Sequence, residues 1–183
     1  VVRTYRLTCN TPHYSDYKEV TVTYQAYVAP DCNLTPYAPG CGGGCFVAGT
    51  QVTMGNGEKK NIENVTFDDS LMTSAKSEPV MKRYVIPYKG LLYAFNGSGN
   101  YFVTPTHPFM PKEGWKSLDP AGTRRESPGI VVSKLKIGDE LVMKGGKTKV
   151  LTQLDSKYAS TTVYNFGVNG THDFYADDYL VHN

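Results

Sequence analysis

The first part of the chain contains one regular alternation of apolar and polar residues. In the stretch 19–28 (EVTVTYQAYV) apolar side chains recur at every second position, which predicts a half-buried strand. A second candidate strand at 1–8 precedes it and can pair with it. Because two strands alone are marginally stable in water, we expect this segment to be a fragment of something larger or to dock on the rest of the chain.

From Cys45 onward, short apolar stretches alternate with closely spaced turn signals. Glycine- and asparagine-rich turns at 55–57, 97–100 and 145–146 each predict a hairpin. The stretch 120–129 is polar and predicts a surface loop, and no segment has the amphipathic period of a helix. This part of the chain is therefore expected to consist of many short strands.

A set of apolar and acidic positions recurs at a constant offset of 70 residues. The matched positions are Ile62 and Val132, Val65 and Leu135, Asp69 and Asp139, Leu71 and Leu141, and Met72 and Val142. A Tyr-x-Phe sequence at 93–95 also recurs at 164–166, at an offset of 71. This spacing is too long for a solenoid. It favours two related halves about a pseudo-twofold axis, with chance similarity between β-rich stretches as the alternative.

Composition strengthens the β prediction and narrows the function classes. Val, Thr and Tyr together number 50 of the 183 residues, whereas Ala and Leu number 20, so a helical bundle is excluded and an all-β fold is expected. The formal charge is only +2 and charged residues are spread without blocks, which predicts neither a nucleic-acid nor an anionic-membrane partner. No apolar run approaches the roughly 20 residues of a membrane-spanning helix.

The four cysteines, Cys9, Cys32, Cys41 and Cys45, leave three interpretations open. They can form two disulfides of a small extracellular module. They can bind zinc, although their spacing contains no C-x2-C pair. In the third interpretation Cys45 is separate from the others, because it stands between Gly42-Gly43-Gly44 and a new β-pattern, where a domain boundary is expected.

The composition changes where the first β-rich segment ends. Pro36-Tyr37-Ala38-Pro39-Gly40-Cys41 and three further glycines predict a linker. We therefore divide the chain into a flanking segment, 1–44, with a glycine-rich linker at 40–44, and a second domain, 45–183.

Several short motifs of the second domain together resemble one superfamily. Cys45-Phe46-Val47-Ala48-Gly49-Thr50 is similar to the opening motif of the Hint (hedgehog/intein) superfamily, and Thr104-x-x-His107 to its central motif. The sequences at 163–166, 172–176 and 181–183 resemble its closing motifs. The resemblance covers 45–183 and is nearest to mini-inteins and bacterial intein-like domains. It implies an all-β Hint horseshoe with pseudo-twofold symmetry and autocatalytic processing of the flanking chain.

The resemblance also implies roles for individual residues. Cys45 would attack the Gly44 carbonyl carbon and leave a thioester, Thr104 would bind the same peptide, and His107 would protonate its nitrogen. Asn183 would cyclise to a succinimide and cut the chain after itself, with help from His172 and His182. The candidate site residues are therefore Gly44, Cys45, Thr104, His107, Asn165, His172, His182 and Asn183.

Departures from the family pattern leave some points open. Residue 165 is Asn where intein relatives often have Asp, which puts the acid–base role of that Asp in doubt. The residue after Asn183, which would accept the thioester in ligation, lies beyond the sequence, so splicing and cleavage alone both remain open. Cys41 is near enough in sequence to form a disulfide with Cys45, and we hypothesise that oxidation would silence the nucleophile.

The self-processing hypothesis has two competitors. One is a cysteine hydrolase that uses Cys45 and His107 on other substrates. The other is a disulfide-bonded secreted binding module, which the Asn-x-Ser/Thr sites at 33, 64, 96 and 169 favour only weakly. Under the leading hypothesis the partner is the chain's own flanking segments, the protein is a monomer, and no cofactor, metal, nucleic acid or membrane is expected.

Overall fold

The computed structural model describes residues 2–11, 14–23 and 44–183. Strands β1 (Val2–Thr11) and β2 (Tyr14–Thr23) form an antiparallel pair in which Val2 lies opposite Thr23. The predicted pairing of the two N-terminal strands is therefore confirmed. β2 starts five residues earlier than the alternation at 19–28 indicates, and residues 24–28 lie outside the described residues.

The rest of the described chain is built mainly of short strands, as the turn spacing predicts. They are β3 (Phe46–Val47), β4 (Gln51–Thr53), β5 (Lys59–Asn61), β6 (Ser70–Met72), β7 (Ser77–Pro79), β8 (Lys82–Phe95), β9 (Lys116–Ser117), β10 (Ser133–Lys134), β11 (Glu140–Val142), β12 (Thr148–Val150), β13 (Leu154–Gly167), β14 (Asp173–Ala176) and β15 (Tyr179–His182). Short 3-10 turns cover Ile62–Asn64 and Lys144–Gly146. The all-β prediction is confirmed.

Two long strands place the start of the second domain beside its closing motif. β8 and β13 pair antiparallel over 14 residues each, from Phe95 opposite Leu154 to Lys82 opposite Gly167. β3 adds to the other edge of β13, with Phe46 opposite Tyr164. Because Cys45 directly precedes β3, this register brings it next to Asn165.

A second sheet carries the C-terminus to the same region. Its strand order is β15-β14-β4-β5, and β14 and β15 form an antiparallel hairpin in which Asp173 lies opposite His182. A bridge joins Phe109 to Val181, and the His182 amide donates to the Pro108 carbonyl at 3.0 Å. The last residues of the chain therefore lie beside the segment that carries His107.

The 70-residue repeat corresponds to matched structure. The Asp69 carboxylate accepts a hydrogen bond from Lys60 Nζ at 2.7 Å, and Asp139 accepts one from Lys116 Nζ at the same distance. Each aspartate also accepts a backbone amide from three residues before it, at 2.7 and 2.8 Å. The matched leucines, Leu71 and Leu141, are both buried. The aspartates, their backbone-amide donors and the buried leucines recur at the 70-residue offset, whereas the two lysines lie 9 and 23 residues before their aspartates. The matched contacts favour two related halves over chance similarity.

An aromatic core lies under both sheets and under the motif residues. Six phenylalanines, each at most 3% exposed, form it: Phe46, Phe95, Phe102, Phe109, Phe166 and Phe174. Their rings pack mostly edge-to-face or tilted at 5.0–6.4 Å, which adds to the free energy gained by burial. Within the described residues, no helix has the length and apolar character needed to cross a membrane.

The prediction of a surface loop at 120–129 is wrong for most of that stretch. Helix α1 (Pro120–Glu126) begins after Asp119, whose carboxylate caps it by accepting from the Gly122 amide at 3.0 Å. Proline at the first helical position lacks only a donor that would be unsatisfied in any case. The helix buries Gly122 and Thr123 rather than large apolar residues. For this reason its sequence has no amphipathic signal.

Candidate active site

The peptide bond between Gly44 and Cys45 is buried and is held on its amide side by Thr104. The Cys45 amide donates to Thr104 Oγ1 at 2.8 Å, and the Thr104 amide donates to the Cys45 carbonyl at 3.0 Å. Cys45 is 1% exposed and Thr104 is 4% exposed. Thr104 therefore binds the nitrogen that would become the leaving group if this bond were cut.

Asn165 holds the carbonyl side of the same peptide. Its Nδ2 donates to the Gly44 oxygen at 2.8 Å, while its Oδ1 accepts from the Phe166 amide at 2.8 Å. The second bond sets the orientation of the side-chain amide, because only Oδ1 can accept from a backbone N–H. Asn165 Nδ2 therefore donates to the Gly44 carbonyl oxygen, on which negative charge would develop if a nucleophile attacked the carbonyl carbon.

His107 packs directly against the junction. Its ring centroid lies 4.2 Å from that of Phe46, and Phe109 and Phe174 surround the remaining faces. A Cβ added at Gly44 would lie 1.9 Å from His107 Cα. The junction residue is therefore glycine for a steric reason, since no other residue lets the two backbones approach so closely.

Burial determines the protonation of His107. Desolvation lowers its pKa from 6.5 to about 3, and the charge of His182 acts in the same direction. The Gly44 backbone approaches the ring closely enough to oppose this shift, but neither ring nitrogen completes a hydrogen bond of normal geometry with a described residue. His107 is therefore a neutral imidazole at rest, with both nitrogens available.

The Cys45 thiol is also uncharged at rest. Burial raises the pKa of this thiol far above its ordinary range, and the charge of Glu126 raises it further. Since a thiol attacks as the thiolate, an attack by Cys45 would require a base that removes its proton.

The C-terminal residue lies in a second cluster of polar groups. The Asn183 amide donates to the His172 carbonyl at 2.9 Å, and its side-chain Nδ2 donates to the Val168 carbonyl at 3.0 Å. Its Oδ1 is buried and has no hydrogen-bond partner among the described residues. The side chain is held in place at its nitrogen, the atom that would attack in a cyclisation.

Two histidines flank Asn183. The rings of His172 and His182 stack at 6.4 Å, and the edge of Trp115 packs against His182 at 5.0 Å. Burial lowers the pKa of His182, and His172 lowers it further, while the Asn183 backbone and Asp173 oppose the shift. Because His182 also affects the pKa of His107, the two clusters share one electrostatic environment.

The structure brings the candidate residues of the sequence into these two adjacent clusters. Gly44, Cys45, Thr104, His107 and Asn165 form the first, and His172, His182 and Asn183 form the second. The hypothesised disulfide involves Cys41, which lies outside the described residues, as does Cys32. Glu126, whose charge raises the pKa of Cys45, was not predicted, because it belongs to no motif.

Comparison with solved structures identifies the fold. No family model and no curated protein matches the sequence. The gp41-1 intein is 23% identical, with 78% of this chain and 100% of that chain aligned and a TM-score of 0.60. The bacterial intein-like domain from Clostridium thermocellum is 26% identical over 76% of this chain and 98% of that chain, with a TM-score of 0.56. A DnaB intein from Synechocystis sp. PCC 6803 is 18% identical over 76% and 98%, with a TM-score of 0.57.

The architecture is thus that of an intein-type, all-β protein. In particular, the chain has the Hint fold, as its motifs imply.

Replacing Gly44 by alanine should displace the junction from the site. The added Cβ would overlap the His107 backbone, which cannot rotate away as a side-chain end could. We expect the free energy of unfolding to fall by about 1–3 kcal/mol, as for other overpacked cores. Urea denaturation measures this change. An unchanged free energy of unfolding would contradict the close approach of the two backbones.

Acidification should reveal the depressed pKa of His107. Below about pH 6.5 His107 binds a proton in the unfolded chain but stays neutral in the folded chain. The contribution of His107 to the free energy of unfolding is therefore fully present above pH 6.5 and is lost as the pH falls toward about 3. The free energy of unfolding of the native protein should therefore fall relative to a His107→Gln variant by up to about 1.4 kcal/mol per pH unit. Comparison of the two proteins at pH 7 and pH 4 cancels the contributions of His182 and Glu126. If the native protein and His107→Gln differed in free energy of unfolding by the same amount at pH 7 and pH 4, the pKa of His107 would be the same in the folded and unfolded chains.

Proposed function

We propose that this protein is a self-processing domain that rearranges its own peptide bonds once, in cis. Cys45 shifts the upstream chain from nitrogen to sulfur at the Gly44–Cys45 bond, and Asn183 cyclises and cuts the chain after itself. The result is protein splicing, or cleavage at one or both junctions. The observation that carries this proposal is the buried Gly44–Cys45 peptide, bound at its N–H by Thr104 and at its carbonyl by Asn165.

The chain divides in function at the same bond. Residues 1–44 are the flanking substrate and residues 45–183 are the processing domain. The solved inteins align with 76–78% of the chain, which is about the share that 45–183 represents, 139 of 183 residues. The partners are the domain's own flanking segments, and it acts as a monomer without cofactor, metal, nucleic acid or membrane.

In the first step, the Cys45 Sγ forms a bond to the Gly44 carbonyl carbon as its proton passes to a base. The carbonyl oxygen gains negative charge, which the Asn165 amide stabilises. The C–N bond then breaks and the Cys45 nitrogen gains a proton from His107. Because burial makes the imidazolium of His107 a strong acid, a proton that reaches this ring passes readily to the departing amine.

In the second step, the Asn183 side-chain nitrogen attacks its own main-chain carbonyl carbon. A five-membered succinimide forms as Nδ2 gives up one proton, and the bond to the following residue breaks as its nitrogen takes up one proton. The contacts to the Val168 and His172 carbonyls hold both ends of Asn183, so little rotational entropy is lost on attack. His182 and His172 lie beside it as proton donors.

The burial of the first cluster disfavours a hydrolase that acts on other proteins. Cys45 and His107 are each 1% exposed, and the chain's own Gly44 fills the position that an external peptide would need. The disulfide-bonded module depends on cysteines outside the described residues, and no described contact favours it.

The test is to express the chain with several residues after Asn183 and to weigh the products. Self-processing predicts fragments that end at Gly44 and Asn183, or a ligated product that lacks 45–183. A single intact mass in the presence and absence of reductant would overturn the proposed function.

A further inference from the structure

The reaction at Cys45 needs a base that the motif residues do not supply. Thr104 and Asn165 both act as hydrogen-bonding groups and neither takes up a proton at neutral pH. His107 is a weak base, because burial lowers its pKa to about 3. A further proton acceptor near the thiol is therefore required.

Glu126 is held against the turn that carries Thr104 and His107. Helix α1, which ends at Glu126, packs on this turn: the Asp119 amide donates to the Pro105 carbonyl at 2.8 Å, and the Thr123 hydroxyl donates to the Thr106 carbonyl at 2.7 Å. The Thr106 side chain lies near enough to the Glu126 carboxylate to lower its pKa. These contacts hold α1 against the turn that connects Thr104 and His107 of the first cluster.

One oxygen of this carboxylate is ready to accept a proton. Glu126 Oε2 is inaccessible to solvent and has no hydrogen-bond partner among the described residues. A buried carboxylate oxygen without a donor is costly unless it serves a purpose or becomes protonated. Burial raises the pKa of Glu126 from 4.5 to about 7, near the value at which a general base is most effective.

The electrostatic neighbours of Glu126 are two charged groups, Asp119 and Arg125, and two proton donors, Cys45 and Tyr88. Asp119 raises the pKa of Glu126 and Arg125 lowers it. The Glu126 charge in turn affects the pKa of Cys45 and of Tyr88 on β8. Burial raises the pKa of Tyr88 to about 12, so its phenol stays protonated and does not compete as a base.

We propose that the Glu126 carboxylate accepts the proton of the Cys45 thiol in the acyl shift, a role that rests on the proposed function. As the S–C bond forms, the proton moves from Sγ to Glu126 Oε2. As the C–N bond breaks, the Cys45 nitrogen takes a proton through His107. Water supplies the proton to His107 and receives the one from Glu126, so the net change is one proton moved from sulfur to nitrogen.

The test compares Glu126→Gln with the native chain across pH 5.5–9, with Glu113→Gln as the matched control because the Glu113 side chain is 86% exposed. Thiol-induced release of 1–44 is followed by mass. In the native chain and the control, the rate should rise through about pH 7, as Glu126 ionises. In Glu126→Gln the rise through about pH 7 should be absent, so that only ionisation of the added thiol, near pH ~8.5, raises the rate, and the rate at high pH should be about 100-fold lower.

Other outcomes overturn the proposal. A Glu126→Gln variant that cleaves as fast as the native chain or faster would show that the carboxylate only repels the thiolate. Cleavage after Asn183 at the native rate verifies that the variant is folded. If the native chain itself never breaks at 44/45, the proposed function fails and this role fails with it, whereas a failure confined to Glu126→Gln leaves the proposed function intact.

Discussion

Replacing Cys45 by alanine will abolish the break between residues 44 and 45 and leave the break after Asn183. Under the proposed function the loss is complete, because this sulfur would form the new bond to the Gly44 carbonyl, while Thr104 and Asn165 only donate or accept hydrogen bonds at the junction. Alanine leaves the Cys45 backbone contacts with Thr104 available, so the junction should keep its position. Mass spectrometry of the extended chain measures both breaks independently.

Asn183→Ala is the reciprocal control for this prediction. It should retain the thioester step and lose the break at the C-terminal junction. If Cys45→Ala still cleaved at 44/45, a water-mediated or external proteolytic route would replace the acyl shift.

Replacing Asn165 by aspartate will slow the proposed acyl shift at Cys45. Among residues that form no covalent bond in this step, we expect this change to have the largest effect. The native Nδ2 donates to the Gly44 oxygen at 2.8 Å, whereas a carboxylate would present a negative charge to an oxygen that is becoming negative. Loss of one such donor typically costs about 100–1,000-fold in rate, and repulsion adds to that loss. The rate of thiol-induced release of 1–44 at pH 7 measures the effect.

Asn165→Ala separates the two contributions. It removes the donor without adding charge, so its rate should lie between those of the native chain and Asn165→Asp. If the Asn165→Asp variant were as active as the native chain, donation from Nδ2 to the Gly44 oxygen would not be required. The site would then also work with Asp at this position, as many inteins do.

The sequence predicted those features of the fold that depend on local pattern. Alternation and turn residues predicted the strands, and the recurrence of Asp69 as Asp139 predicted related halves in which each aspartate accepts the backbone amide three residues before it. Helix α1 was missed because its cap is a single Asp and its buried face consists of Gly122 and Thr123. A helix that packs through small residues has no apolar stripe to detect.

The sequence predicted those site residues that belong to a recognised motif. It did not predict roles that depend on how a side chain is oriented in the folded protein. Cys45, Thr104 and His107 stand together as their motifs imply. The direction of the Asn165 amide is set by the Phe166 N–H, a contact that the sequence does not encode in any pattern. Glu126 belongs to no motif, and its electrostatic effect on Cys45 depends on the packing of α1 against the 104–107 turn.

The most direct test of the central claim is to trap the acyl group on an added thiol. The extended chain is incubated with a small thiol, and the released 1–44 fragment is weighed before and after hydroxylamine. An acyl shift to Cys45 predicts that the fragment carries the thiol as a thioester on Gly44 and that hydroxylamine removes it. A fragment that ends in a free carboxylate whatever the thiol concentration, or a chain that stays intact, would contradict the account.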